Sequence, residues 1–362
     1  MQTTPVTGLL IVRNEEAHLG NCLNSLAGLV DDVVVVDTGS TDNTIAIARR
    51  AGARTGHFAW INDFAAARNH AIGLCGTPWA LYIDADERIA PGCCEPIRRL
   101  IDPQWMAADI LLRPKANYTR YRLTRLFRID PRIRFHGAIH ETLQYALAAI
   151  SGGAAVGLTA LEIDHFGYEG DLSRKHQRNL PLLERCAAEF PDRVFYWFHL
   201  TETLLGLGRY AEAHAASLRA VEAARRDQAA KSGVDAALAC QMLASSMLDR
   251  GLDPQSIIND GLELHPGNHG LLLTLASREL RFGVAARSLA IAKALRAIDP
   301  DSLQPGLVAY DRDVFGRYAL EVEIASLSRL GRMREAAMLL TANAGRLKPA
   351  SAGVPPHGAD EG

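Results

Sequence analysis

The feature that most constrains this chain is an alternation, over its first 90 residues, of short β-rich runs with amphipathic helical stretches. Such alternation builds a mostly parallel sheet covered on both faces. Gly8 to Val12 reads as the first strand. Leu19, Cys22, Leu23 and Leu26 then recur at i, i+3, i+4 and i+7, one buried stripe of a helix. Val33 to Val36 is too short and too branched for a helix, so it forms a strand ending at Asp37. The turn Asp37-Thr38-Gly39-Ser40-Thr41-Asp42 leads into a helix through Ile45 and Ala48, with Ser40 or Thr41 placed to cap it. Phe64 to Leu74 is a further helix, capped by Asp63, and Trp79 to Ile83 is a strand running into Asp84-Ala85-Asp86-Glu87. From Asp109 to Asp164 the text is strand and loop, rich in arginine, with one short helix over Thr142 to Ile150.

After about Gly170 the pattern changes to helical periodicity, dominated by Ala and Leu, as far as Leu347. Leu207-Gly208-Arg209-Tyr210-Ala211-Glu212-Ala213 and Leu330-Gly331-Arg332-Met333-Arg334-Glu335-Ala336 are near copies of one helix-turn-helix phrase. Pro266 and Pro300 stand where a tetratricopeptide-like unit ends, and three or four helix pairs are expected. The reading is thus an α/β domain over residues 1–170, an all-α helical repeat domain over 171–347, and a disordered Pro/Gly/Ala tail over 348–362.

A chain of 362 residues with 48% hydrophobic content can bury two such cores. Its 39 Lys and Arg nearly balance 41 Asp and Glu, so no global field attracts a nucleic acid or an anionic membrane. The six cysteines show no metal-ligand spacing, and adjacent Cys93 and Cys94 make a poor disulfide framework; a reducing cytoplasm fits. No apolar run approaches the roughly 20 residues that span a bilayer, and no Sec-type leader is expected.

Asp84 and Asp86 follow an apolar strand at i and i+2. If the backbone stays extended, their carboxylates project to one side at the carboxyl edge of the sheet, where open α/β sheets bind ligands. Two hard oxygen donors there suit Mg2+ or Mn2+, with substrate phosphates and water completing the shell. A solvated turn is the bland reading of an isolated Asp-x-Asp; here the strand context and Asp37 favour a site. Asp37 ends the neighbouring strand, where a carboxylate can accept the N3–H of a uracil-like base, and the Gly39-Ser40 turn lets backbone approach a nucleotide.

Four phrases in this order resemble the family 2 glycosyltransferases of the GT-A fold: Ile11-Val12-Arg13-Asn14-Glu15-Glu16, Val35-Val36-Asp37-Thr38-Gly39-Ser40-Thr41-Asp42, Asp63-Phe64-Ala65-Ala66-Ala67-Arg68-Asn69 and Trp79-Ala80-Leu81-Tyr82-Ile83-Asp84-Ala85-Asp86-Glu87. The resemblance covers about the first 170 residues and implies a Rossmann-like nucleotide-diphospho-sugar transferase domain. It implies that Arg13, Asn14, Glu15 and Asp37 border the nucleoside and that Arg68 supports the base or the phosphates. It further implies Asp84 on the ribose or a metal-bound water, and Asp86 on the metal. Arg134-Phe135-His136-Gly137-Ala138-Ile139-His140-Glu141 and Asp164-His165-Phe166-Gly167-Tyr168 resemble a subgroup in which a repeat domain follows the transferase. That subgroup includes enzymes that glycosylate cysteine or serine of bacteriocin-like peptides.

The resulting expectation is inverting transfer from a UDP-sugar or similar donor to a peptide, protein or saccharide. Glu141 is the candidate base and His140 its orienting neighbour, the alternative being a buried structural hydrogen bond. His165 is a candidate third metal ligand or a satisfied core histidine. Ser40 and Tyr168 are expected near the donor, and Tyr168, Lys175 and Arg178 can close over the diphosphate, or Lys175 and Arg178 form a solvated helix face. The helical domain offers a groove for an extended peptide or a partner, including a second copy of the chain. Two other classes stand beside this one: an inactive interaction scaffold, and a nucleotidyltransferase that releases pyrophosphate.

Overall fold

The computed structural model describes residues 4–93, 95–114, 117–150, 155–166, 173–226 and 234–347. Tyr168 and the expected tail over 348–362 lie outside the described residues. The first part alternates β1 (Val6–Val12), α1 (Leu19–Leu26), β2 (Asp32–Asp37), α2 (Thr44–Arg50), β3 (Arg54–His57), α3 (Phe64–Ile72) and β4 (Trp79–Tyr82). It continues through β5 (Glu87–Ile89), β6 (Ala107–Pro114), β7 (Tyr121–Arg128), α4 (Gln144–Ala149) and β8 (Val156–His165). All eight strands join one sheet in the order β3-β2-β1-β4-β7-β6-β8-β5. The first four are mutually parallel; β7 runs antiparallel to β4 and β6, and β5 antiparallel to β8. This mixed sheet, with helices on both faces, is the expected GT-A-like α/β architecture.

Side-chain alternation divides the core between the two faces. Leu10, Val35, Trp79 and Leu81 pack with the α1 stripe, whose Leu19, Cys22, Leu23 and Leu26 are all buried. Leu9, Val34, Val36, Ala80 and Tyr82 pack with Ala71 and Ile72 of α3 and with Leu147 of α4. Asp63 caps α3 by accepting from the Ala66 amide at 2.8 Å. The start of α2 differs from expectation. Neither Ser40 nor Thr41 caps it; Asp42 Oδ1 accepts from the Thr44 amide at 3.0 Å, because Ser40 and Thr41 bond instead to Asn14 across the sheet edge. The short helix α4 begins later than expected, since Thr142 and His136 exchange backbone hydrogen bonds.

Nine further helices follow among the described residues: α5 (Ser173–Glu189), α6 (Val194–Gly206), α7 (Tyr210–Ala224), α8 (Val234–Asp249), α9 (Gln255–Leu264), α10 (His269–Phe282), α11 (Ala285–Arg296), α12 (Arg317–Arg329) and α13 (Met333–Ala342). After α5 they pack as four successive pairs. The two copies of the repeated phrase make the same turn. Gly208 and Gly331 take φ +72° and +75° between paired helices, a left-handed conformation that glycine adopts without steric cost. The next residue is an arginine that forks onto a glutamate three positions on, Arg209 onto Glu212 and Arg332 onto Glu335. Pro266 and Pro300 fall between pairs, as expected.

Among the described residues, the helical part meets the α/β part both at its first helices and near α12. Ile139 and the partly buried Phe64 pack into a cluster with Leu182, Leu183, Tyr196 and Leu200 of α5 and α6. Further along, the segment before α12 returns to the head of β7: Thr119 N donates to Tyr310 O, Arg122 N to Gly306 O and Arg312 N to Asn117 O, each at 2.8 Å. No helix among the described residues is long and apolar enough to cross a membrane.

Candidate functional site

Strands β1, β2 and β4 are parallel neighbours, so their carboxyl ends open onto the same edge of the sheet. That edge receives Arg13, Asn14 and Glu15 from β1, Asp37 from β2 and Asp84 from β4. Arg13 and Asn14 are exposed. Asn14, at φ +57°, is tied to the loop after β2: its amide donates to Ser40 Oγ at 2.9 Å, and its Oδ1 accepts from Thr41 N at 2.8 Å. Asn14 and Ser40 therefore lock two loops together at the sheet edge. Asp37 accepts from the amides of Gly39 and Ser40 at 3.2 and 3.0 Å, and His57 Nδ1 stands 3.7 Å from it. Each carboxylate oxygen has two lone pairs, so these local bonds leave acceptor capacity for a base.

The chain does not stay extended through Asp84 and Asp86, and their arrangement is correspondingly not the one expected from i, i+2 alternation. The backbone turns, Glu87 N donating to Asp84 O at 3.0 Å and Glu87 Oε2 accepting from Asp84 N at 2.8 Å. Asp84 then faces two arginines. Its Oδ1 accepts from Arg68 Nη2 at 2.9 Å and its Oδ2 from Arg125 Nη1 at 3.3 Å. Burial alone would raise the Asp84 pKa; the two guanidinium groups outweigh it and hold the carboxyl at about 2. Arg125 also pairs with fully buried Glu87 at 2.9 Å, and both guanidinium groups lie over the Tyr82 ring, at 4.4 and 4.0 Å.

Arg68 reaches further, donating from Nε to Glu141 Oε1. Asp84 and Glu141 are thus brought together on one buried guanidinium, an ion pair that the sequence reading of Glu141 did not include. The Arg125–Glu87 pair is a part of this cluster that no motif along the chain announces. The signal for Arg125 is a charged residue at an inward position of the β7 alternation, where isolated charge would be costly.

Asp86 meets His165, Nε2 to Oδ2 at 3.4 Å. The antiparallel register of β5 with β8 sets this meeting, placing Glu87 opposite His165, while Phe166 N donates to Asp86 O at 3.1 Å. Burial acts to raise Asp86 and to lower His165; their mutual hydrogen bond outweighs it, shifting Asp86 down and His165 up. Glu15 completes the acidic edge. Burial first, then the charges of Asp86, Asp84 and Asp42, push its pKa up to about 7, and Arg178 of α5 opposes the shift. Lys175 similarly acts on Asp86, and Arg178 on Glu141, so the front of α5 brings positive charge toward the acidic edge.

Among the described residues, no three His, Cys, Asp or Glu side chains converge to enclose a metal ion. The donors the site offers are the Asp86 carboxylate and the His165 imidazole; Asp84 has both oxygens turned to arginines. One carboxylate with one imidazole can hold a divalent cation that takes its remaining ligands from phosphates and water.

Residues 9–165 match the family described as Glycosyl transferase family 2. A TPR repeat-containing protein of Synechococcus elongatus is 36% identical over 196 residues, 51% of this chain and 49% of that protein. The SPbeta prophage-derived glycosyltransferase SunS of Bacillus subtilis is 28% identical over 210 residues, 54% of this chain and 49% of that protein. The chain thus matches about half the length of each of these relatives. Among solved structures, glucosyl-3-phosphoglycerate synthase from Mycobacterium tuberculosis, in complex with Mn2+, UDP and glucosyl-3-phosphoglycerate, is 23% identical over 30% of this chain and 44% of that one, with a TM-score of 0.26.

Proposed function

Since residues 9–165 are a family 2 glycosyltransferase domain with a TPR-like helical array behind it, we propose that this chain transfers a sugar from a nucleoside-diphosphate sugar, a UDP-sugar first among them, to a peptide, protein or saccharide, with inversion at the anomeric carbon. The carrying observation is the gathering of Glu15, Asp37, Asp84 and Asp86 at one sheet edge, with His165 against Asp86. In this reading residues 1–170 form the transferase domain and 171–347 the repeat domain.

Each group then has a task its surroundings suit. Asp37, with Arg13 and Glu15 beside it, borders the base and ribose, on loops that Asn14 and Ser40 hold in place. Asp86 and His165 hold Mg2+ or Mn2+, which supplies charge neutralisation to the diphosphate. Lys175 and Arg178 add positive charge from α5. Arg68 orients Asp84 and Glu141 relative to each other, so that Glu141 can take the acceptor proton. The acceptor atom bonds to the anomeric carbon as the bond from that carbon to the diphosphate oxygen breaks, its electron pair leaving with the diphosphate. The 136–142 loop that carries Glu141 packs against α6, which supports giving the helical array a share in acceptor recognition.

The deciding experiment is a panel of nucleotide sugars incubated with the full chain and Mg2+ or Mn2+, scored for released nucleoside diphosphate. Metal-dependent release is expected. Pyrophosphate released from a nucleoside triphosphate would point instead to nucleotidyl transfer, and no turnover with no nucleotide binding would leave the helical array as the working part.

A further inference from the structure

Two buried imidazoles, one from the residue that precedes Glu141 and one from the helical domain, stack on each other. His140, in the 136–142 loop, and His199, on α6, have ring centroids 3.8 Å apart and planes 8° from parallel. Both are nearly inaccessible to solvent. His199 Nδ1 lies 2.9 Å from Glu202 Oε2, one helical turn along, and Glu202 is buried too. Phe195 presents its edge to both rings, at 6.0 and 4.5 Å, and Phe198 flanks His199 at 4.8 Å.

The trio is more than filling. Burying a carboxylate and two imidazoles costs desolvation that apolar side chains of similar volume would avoid. What it holds is a strained stretch of backbone. His140 sits at φ +51°, a region that residues with a β-carbon occupy only where their surroundings enforce it. Gly137, at φ +104°, turns the same loop, and His136 and Thr142 close it with two backbone hydrogen bonds of 3.0 Å. The residue after His140 is Glu141, whose carboxylate meets Arg68, which in turn meets Asp84.

We propose that His199, fixed by Glu202, is a positioning residue of the active site: α6 supplies an imidazole that holds His140 in its strained conformation and so sets Glu141 against Arg68. The family match ends at residue 165, so this assigns completion of the transferase site to a residue of the helical domain. The catalytic meaning rests on the sugar-transfer reading above; the mechanical part does not.

The test uses the full chain carrying His199→Phe, which keeps a stacked ring but lacks the bond to Glu202, and the nearly isosteric Glu202→Gln. Three quantities are read: amide hydrogen exchange of the 136–142 peptide, UDP affinity with Mn2+, and release of UDP from whichever UDP-sugar the wild type turns over. Both variants are expected to melt near the wild type and to bind UDP within about threefold of it. They are expected to exchange the 136–142 amides at least fivefold faster and to lose at least tenfold in turnover, borne by kcat rather than KM. Unchanged exchange, or faster exchange with wild-type turnover, overturns the proposal. A wild type that turns over no nucleotide sugar counts against the sugar-transfer reading, and the exchange result then decides the positioning by itself.

Discussion

Arg68 and Glu141, 73 positions apart in the chain, form a buried ion pair from Arg68 Nε to Glu141 Oε1, and the same guanidinium reaches Asp84 through Nη2. This fork joins the strand-end carboxylate of β4 to the loop that faces the helical domain. Its planar geometry is what allows one cation to serve two carboxylates approaching from different directions.

Replacing Arg68 with Met leaves Asp84 and Glu141 without their shared cation. A loss of roughly 3–5 kcal/mol in unfolding free energy is expected from removing one partner of a buried pair. Urea denaturation monitored by circular dichroism measures it, and a loss below about 1 kcal/mol would show that the fork contributes little. Arg68→Lys, with a point charge and no fork, should recover part of the stability and little of the turnover.

Asp86 and His165 carry the proposed cation site. Asp86→Ala should abolish the Mn2+-dependent part of UDP binding, and His165→Ala should weaken it by about 10–100-fold. Titration calorimetry of UDP with and without Mn2+ separates this part from metal-independent affinity. Equal UDP affinity in wild type and Asp86→Ala at saturating Mn2+ would remove Asp86 from the site.

Glu141→Gln keeps the shape of the side chain and removes its capacity to take a proton. Transfer is expected to fall by about 100-fold while UDP affinity stays within twofold. Full transfer by this variant would assign the base elsewhere.

Glu15 gives a pH-dependent prediction. Its folded pKa, about 7, lies above the ordinary value of 4.5, so the folded state holds a proton that the unfolded chain has already lost. Stability from this group is therefore complete below about pH 4.5, declines as pH rises through 7, and is absent above it. Glu15→Gln should raise the melting midpoint by about 2–4 °C at pH 8 and leave it unchanged at pH 4. A shift of equal size at both pH values would mean that Glu15 is not held protonated.

Gly208 and Gly331 test the repeat turn. No atom lies within 4 Å of where a β-carbon would stand at either position, so substitution meets open space and the cost is conformational alone. Gly208→Ala and Gly331→Ala should each cost about 1–2 kcal/mol, read from thermal or urea unfolding. A neutral effect at both would show that the turns relax to negative φ.

Much of this molecule is local, and what is local was open to reading from the residues alone. The α1 stripe, the alternation of Val34, Val35 and Val36 between two faces, the Asp63 cap and the Gly208 and Gly331 turns all depend on neighbours within a few positions. So did the placing of Asp37 and Asp84 at strand ends. Tertiary structure decided the direction each acid faces and what it meets. The turn at Asp84 to Glu87, the arginines on Asp84, His165 opposite Glu87 and His140 stacked on His199 arise from strand order and register between segments far apart in sequence. Only once those segments are packed does burial set the competition between desolvation and ion pairing that drives Asp84 down and Glu15 up, and no pattern along the chain encodes that balance.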